Sequence, residues 1–131
     1  MTRVLPRQPA GPRRDAAART ASRAAAGGPT AIDRYLRVRA QSLALAAPLS
    51  EADAQVQSMA DASPTKWHLA HVTWFFETFV LERFEAGFRP FHPAFRILFN
   101  SYYNGIGEQF PRPQRGFVTR PGLAEVKAYR A

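Results

Sequence analysis

The 131-residue sequence contains no cysteine, which removes disulfides, zinc–thiolate sites and cysteine nucleophiles from consideration. It also lacks a long uninterrupted apolar run. The longest apolar region, Leu69 to Leu81, is broken by His71, Thr73, Glu77 and Thr78, whereas a membrane span needs about 20 mainly apolar residues. A buried helix of a soluble, cytoplasmic protein is expected instead, with no membrane partner. Acid is nearly missing from residues 1–29, where Asp15 stands alone against six arginines. That segment holds five of the eight net positive charges, so the remainder is only mildly basic. It has no continuous apolar stretch of the kind a signal peptide needs. Its makeup is superficially that of an organelle transit peptide, but without a sustained amphipathic stretch. Rich in Pro, Gly, Ala and Arg, it cannot bury enough surface to offset backbone entropy. The expectation is a disordered tail over residues 1–29 and a helical domain over 30–131. The tail's charge would attract phosphate, but no recognition motif accompanies it, and nucleic acid is not an expected partner.

Helical signals begin at Thr30, an N-cap candidate with Asp33 three residues on, in the capping-box arrangement. A helix over 31–46 follows. Ile32, Tyr35, Leu36, Leu43 and Ala46 supply its apolar positions among Arg34, Arg37, Arg39 and Gln41, the pattern of an amphipathic helix. Pro48 ends it, and Ser50 to Asp53 reads as a short helical turn. Ser63-Pro64 predicts the next start, with the serine as N-cap and proline at the first helical position. This helix can run to Glu85 or Ala86 and stop near Gly87. Its large apolar residues wrap most of its circumference, which predicts a central place in a bundle. Residues 88–121 hold five of the eleven prolines and many aromatics without a period. An ordered but irregular connection is expected there. Gly122, with Glu125 three residues on, marks a further helix start.

Three segments could carry chemistry. His68 and His71 lie three apart on the long helix, about 60° apart around its axis, so both can face one cavity. Trp67, Trp74 and Thr78 share the face of His71. A neutral imidazole in a bundle core suits a transition metal. On spacing alone, a hydrogen-bonded core histidine is the favoured alternative, because one helix cannot supply a whole metal site. In the second segment, Phe110 to Gly116, Arg112 and Arg115 sit in a proline-stiffened loop. Two guanidiniums there can clamp a carboxylate, or they can be two solvated surface charges. The third, Asn100-Ser101-Tyr102-Tyr103-Asn104-Gly105, suits substrate contact or a turn satisfying its own backbone equally well. His92 reads as an ordinary loop residue.

The stretch Ser63-Pro64-Thr65-Lys66-Trp67-His68-Leu69-Ala70-His71-Val72-Thr73-Trp74-Phe75-Phe76-Glu77-Thr78-Phe79 closely resembles the N-terminal domain of the hercynine oxygenases, the sulfoxide synthases of ergothioneine biosynthesis. Phe99 to Asn104, Pro111 to Gly116 and Thr119-Arg120-Pro121 match that family in the same order. The resemblance covers about residues 30–131. It implies an all-α fold, part of a DinB-like four-helix bundle, which in the family precedes a formylglycine-generating-enzyme-like domain. It also implies non-haem Fe(II) held by three histidines, and O2-dependent joining of cysteine or γ-glutamylcysteine to hercynine as a sulfoxide.

Carried across, the resemblance makes His71 the first iron ligand, with His68 a supporting neighbour or an alternative ligand. Arg112 and Arg115 become the pair that holds the thiol substrate's carboxylate. The family's other two iron histidines lie on a later helix, beyond the one starting at Gly122, so no complete catalytic set is expected within these residues. The resulting expectation is an N-terminal fragment that is inactive alone and does not hold Fe(II) stably. A complementary C-terminal fragment would be its partner. The alternative is a non-catalytic DinB-like binding module without iron.

Overall fold

The computed structural model describes residues 28–131, so most of the expected tail lies outside the described residues. The described residues fall into two units, 28–37 and 38–131. All regular elements among the described residues are helical.

In the first unit, the Thr30 hydroxyl accepts from the Asp33 N–H at 3.1 Å, and the Asp33 carboxylate accepts from the Thr30 N–H at 2.9 Å. This is the reciprocal box expected from sequence, and it starts helix α1 (Ala31–Ala46). The hydrogen bonds hold the Asp33 carboxyl below its usual pKa. Ile32 and Leu36 are nevertheless exposed.

In the second unit, the last turns of α1 bury Ala46 but leave Leu43 and Leu45 exposed. The amphipathic pattern therefore forms a helix without burying its whole apolar face. Helix α2 (Glu51–Gln55) opens with a second capping box, Ser50 with Asp53. Helix α3 (Thr65–Phe76) continues through a π-helical turn (Glu77–Leu81) into α4 (Glu82–Phe84). Residues 65–84 are thus one long helix with an internal defect that the apolar pattern does not announce. Gly87, at φ 79°, turns the chain after it, a backbone that favours glycine. The irregular connection holds α5 (Phe95–Leu98) and two 3₁₀ turns, Asn104–Ile106 and Arg112–Phe117. Helix α6 (Leu123–Arg130) follows.

Helix α3 packs chiefly on α6 and then on α2. The core joins Ala54 of α2, Trp67, Leu69, Ala70 and Trp74 of α3, and Leu123, Val126 and Tyr129 of α6. Phe95 and Phe99 complete it from the connection. Only one side of the long helix is covered, because Val72, Val80, Leu81 and Phe84 are exposed. The expectation of apolar packing all round is corrected to that extent among the described residues.

Two caps also differ from expectation. The N-cap of α3 is Pro64, with no side-chain cap, and the Ser63 hydroxyl instead accepts from Arg115 at 2.9 Å. The start of α6 is capped from a distance. Both carboxylate oxygens of Glu51 accept from the Leu123 N–H, at 2.7 and 2.9 Å, where a negative charge also favours the helix dipole. Lys66, buried on α3, donates to the carbonyls of Thr119 at 3.1 Å and Pro121 at 2.9 Å. Burial pushes its pKa down.

Glu77 lies in the π turn and is buried. It accepts from the Phe91 N–H at 3.1 Å and from the Tyr129 hydroxyl, tying the long helix to the connection and to α6. Burial, and then the Glu77 carboxylate, push the Tyr129 phenol far above its ordinary pKa. Replacing Tyr129 by Phe leaves a buried carboxylate short of a donor and should cost about 1–3 kcal/mol in urea unfolding at neutral pH. Because the phenol's pKa is raised on folding, its contribution is complete below the unfolded value of about 10 and shrinks above it. The gap between wild type and Tyr129→Phe should therefore narrow as pH rises past about 10. A constant gap would show that the phenol–carboxylate bond does not stabilise the fold.

Candidate functional site

The sequence candidates converge. His68, His71, Arg112 and Arg115 all line one cleft of about 300 Å³. Its walls come from α3, the turn before α3, the segment after α5 and the second 3₁₀ turn.

His71 is half-buried. Its Nδ1 lies 2.7 Å from the Phe99 carbonyl. A carbonyl only accepts, so Nδ1 carries the proton and Nε2 of the neutral ring keeps its lone pair. Burial pushes the pKa of His71 down despite this hydrogen bond, which keeps the ring neutral. Its plane is fixed by stacking on Trp67, 4.7 Å between centroids and 12° between planes, and on Trp74 at 5.4 Å. The Trp67 indole in turn donates to the Leu98 carbonyl at 2.9 Å. A neutral, oriented imidazole whose other nitrogen is tied to a carbonyl is the usual condition of a metal-ligating histidine. His68, one turn earlier, is exposed at the cleft. Partial desolvation, then His71 and the two arginines, lower its pKa. Its position suits a neighbour of His71.

Arg115 is buried, 3% exposed. Its guanidinium lies 3.6 Å from the centroid of Trp67, donates to Ser63 at 2.9 Å and reaches Ser101 at 3.4 Å. Its Nε has no partner, and no carboxylate pairs with it among the described residues. Burial, with Arg112 nearby, lowers its pKa to about 10, so the charge persists at neutral pH. Arg112 is half-buried, with its guanidinium 4.6 Å from the centroid of Tyr102. Two guanidiniums, neither ion-paired to a carboxylate among the described residues, therefore line the same cleft.

The Asn100 segment divides between its two readings. Asn100 is fully buried and serves the turn, donating to the carbonyls of Gly107 and Glu108 at 3.1 Å and accepting from the Tyr103 N–H at 3.3 Å. Ser101 and Tyr102 face the cleft. His92 is an exposed loop residue whose Nδ1 accepts from the Ala94 N–H at 3.2 Å. Thr78 does not join His71. It lines a separate cavity with Trp74, Glu77 and Arg96, because seven residues displace it about 10 Å along the axis and the π turn intervenes.

Sequence reasoning missed what holds the arginine loop. Gln57 donates to the carbonyls of Ala62 and Arg112, both at 2.8 Å, and accepts from the Gly116 N–H at 2.6 Å. Gln55 donates to the Gly116 carbonyl at 2.6 Å. Apart from the local bond to Ala62, these bonds join residues 55 to 61 apart, and no local motif encodes them.

A model of the DinB superfamily matches residues 34–131, three quarters of the sequence. The chain belongs to the DinB superfamily. No curated protein matches it. The DinB assignment agrees with the helical architecture. No described helix is long and apolar enough to cross a membrane.

The bracket around Gly116 is open to test. A Cβ there would lie 2.9 Å from Gln57 Cβ and 3.0 Å from its Oε1. Gly116→Ala must therefore push Gln57 aside. It should cost about 1–3 kcal/mol and speed amide exchange over residues 112–118. Unchanged exchange there would show that Gln57 does not hold the arginine loop.

Proposed function

We propose that this DinB chain forms the iron- and thiol-facing part of a non-haem Fe(II), O2-dependent sulfoxide synthase. In the reaction proposed, as in the hercynine oxygenases it resembles, a cysteine-type thiol is joined to hercynine in ergothioneine biosynthesis. One observation carries this reading. A single cleft brings together an imidazole prepared as a ligand and two guanidiniums without a counter-ion.

The donor set fits one corner of an iron centre. His71 would hold the metal through Nε2, the nitrogen left free by the Phe99 carbonyl. Among the described residues no three His, Cys, Asp or Glu side chains gather closely enough for a metal ion. On this reading the remaining ligands come from elsewhere. When bound, Fe(II) supplies the redox chemistry that lets O2 react with a thiol, with open positions for both.

The chain's own residues would do the rest. Phe99, Trp67 and Trp74 orient the His71 ring, and the carbonyl makes it a better donor. Arg112 and Arg115 would grip the substrate carboxylate, where a charge-assisted bond is about twice as strong as a neutral one. The shared contact with Trp67 sets Arg115 at a fixed place relative to His71, so the carboxylate grip and the proposed metal ligand would keep a constant spacing. Ser63 and Ser101 keep the guanidinium from turning away.

The test is reconstitution. The chain is combined with a complementary fragment carrying the later helix and C-terminal domain, Fe(II), O2, hercynine and cysteine. Sulfoxide should form, and His71→Ala should reduce it below detection. A rate unaffected by that change removes His71 from the ligand set. Sulfoxide formation that needs no complementary fragment would show that one histidine suffices.

A further inference from the structure

The cleft is also lined by an acid that neither the fold nor the proposed chemistry accounts for. Asp61 lines the same cleft as Arg112, Arg115 and Ser63. It lies on the turn between α2 and α3 and is exposed. No salt bridge joins it to either arginine, since the only ion pair among the described residues is Arg96 with Glu82. Opposite charges therefore share a space of about 300 Å³ without neutralising one another.

Their separation is built in. Gln57 holds both sides, with its amide nitrogen on the Ala62 carbonyl beside Asp61 and on the Arg112 carbonyl of the arginine turn. The same nitrogen reaches the Ala60 carbonyl at 3.4 Å, and Ala62 closes a backbone turn onto Met59 at 3.1 Å. Asp61 thus sits between two residues whose carbonyls are fixed, on a loop tied to the arginines. An acid and two guanidiniums that line one cleft with no ion pair between them offer charges of both signs to a ligand.

We infer that Asp61 takes the ammonium group of the ligand whose carboxylate Arg112 and Arg115 hold, so that the cleft selects a zwitterionic amino acid or short peptide over a simple thiol acid. This rests on the reading of the arginines as a carboxylate clamp. It adds the part of the ligand that the clamp cannot see. A guanidinium pair alone accepts any carboxylate, and an acid in the same cleft repels a second carboxylate while rewarding an amine.

The test uses the whole 131-residue chain without metal, titrated calorimetrically with L-cysteine and with 3-mercaptopropionate, which lacks only the amine. Wild type should bind cysteine about tenfold more tightly, the scale of one charge-assisted hydrogen bond. Asp61→Asn should abolish that preference while leaving 3-mercaptopropionate bound as well as before or better. Arg112→Gln should weaken both ligands. Equal wild-type affinities, with both still weakened by Arg112→Gln, would overturn the role of Asp61 and leave the clamp standing. So would a preference that survives in Asp61→Asn. If neither thiol binds, or if binding ignores Arg112→Gln, the clamp itself falls and this inference falls with it. The wild-type comparison decides the matter even if a variant fails to fold.

Discussion

A guanidinium buried against an indole, with no carboxylate to pair with, is the constraint around which this cleft is organised. Taking a charge out of water costs several kcal/mol unless partners repay it. Here the repayment comes from the Trp67 ring and two serine hydroxyls, none of which cancels the charge. Each partner is fixed in turn. Trp67 is pinned by the Leu98 carbonyl and by its stack on His71. Ser63 gives up the helix cap for which its sequence suits it. The local cap is given up so that the Ser63 hydroxyl accepts from Arg115.

The second constraint is spatial. The residues facing the cleft come from four segments, and long-range contacts through side chains tie the elements around them together. Gln57 and Gln55 hold the arginine turn, Lys66 holds Thr119 and Pro121, and Glu51 caps α6. Such contacts explain how an irregular connection of more than 30 residues stays ordered. Its backbone groups find partners in side chains projected from helices, as buried peptide groups must. Glu77 plays the same part at the other end of the long helix, where one buried carboxylate serves a loop N–H and the Tyr129 hydroxyl together.

Most of the helices were legible because their signals are local. The box at Thr30 works as its spacing predicts, Ser50 to Asp53 opens a short helix as read, and the starts near Pro64 and Gly122 fall where the punctuation residues stand. The candidate ligands were legible as residue types, and the motif resemblance gave them roles, but that they line one cleft is seen only in the structure. The long-range ties were not legible. Nothing around Gln57 says that it faces Arg112, and nothing around Glu51 says that it caps a helix more than 70 residues away. Burial was the weaker inference too. The apolar wrap of α3 and the stripe of α1 set an upper limit on what can be covered, and Val72, Phe84 and Leu36 remain exposed.

The π turn shows why a helical wheel drawn from sequence misplaces the far half of the long helix. A regular wheel puts Thr78 on the face of His71, because seven residues nearly complete two turns. The i→i+5 closure over Glu77–Leu81 inserts an extra residue and rotates everything after it. Trp67, His71 and Trp74 precede the defect and keep one stacked register, from which the histidine takes its orientation. Glu77, at the first position of the defect, turns into the protein to meet Phe91 and Tyr129. An unbroken α-helix would hold those two sets in one fixed phase. The irregular turn lets the first half present its rings to the cleft while the second half anchors the connection. Position along this helix therefore divides the work, with the cleft-lining rings of Trp67, His68 and His71 before residue 77 and the Glu77 anchor at the defect.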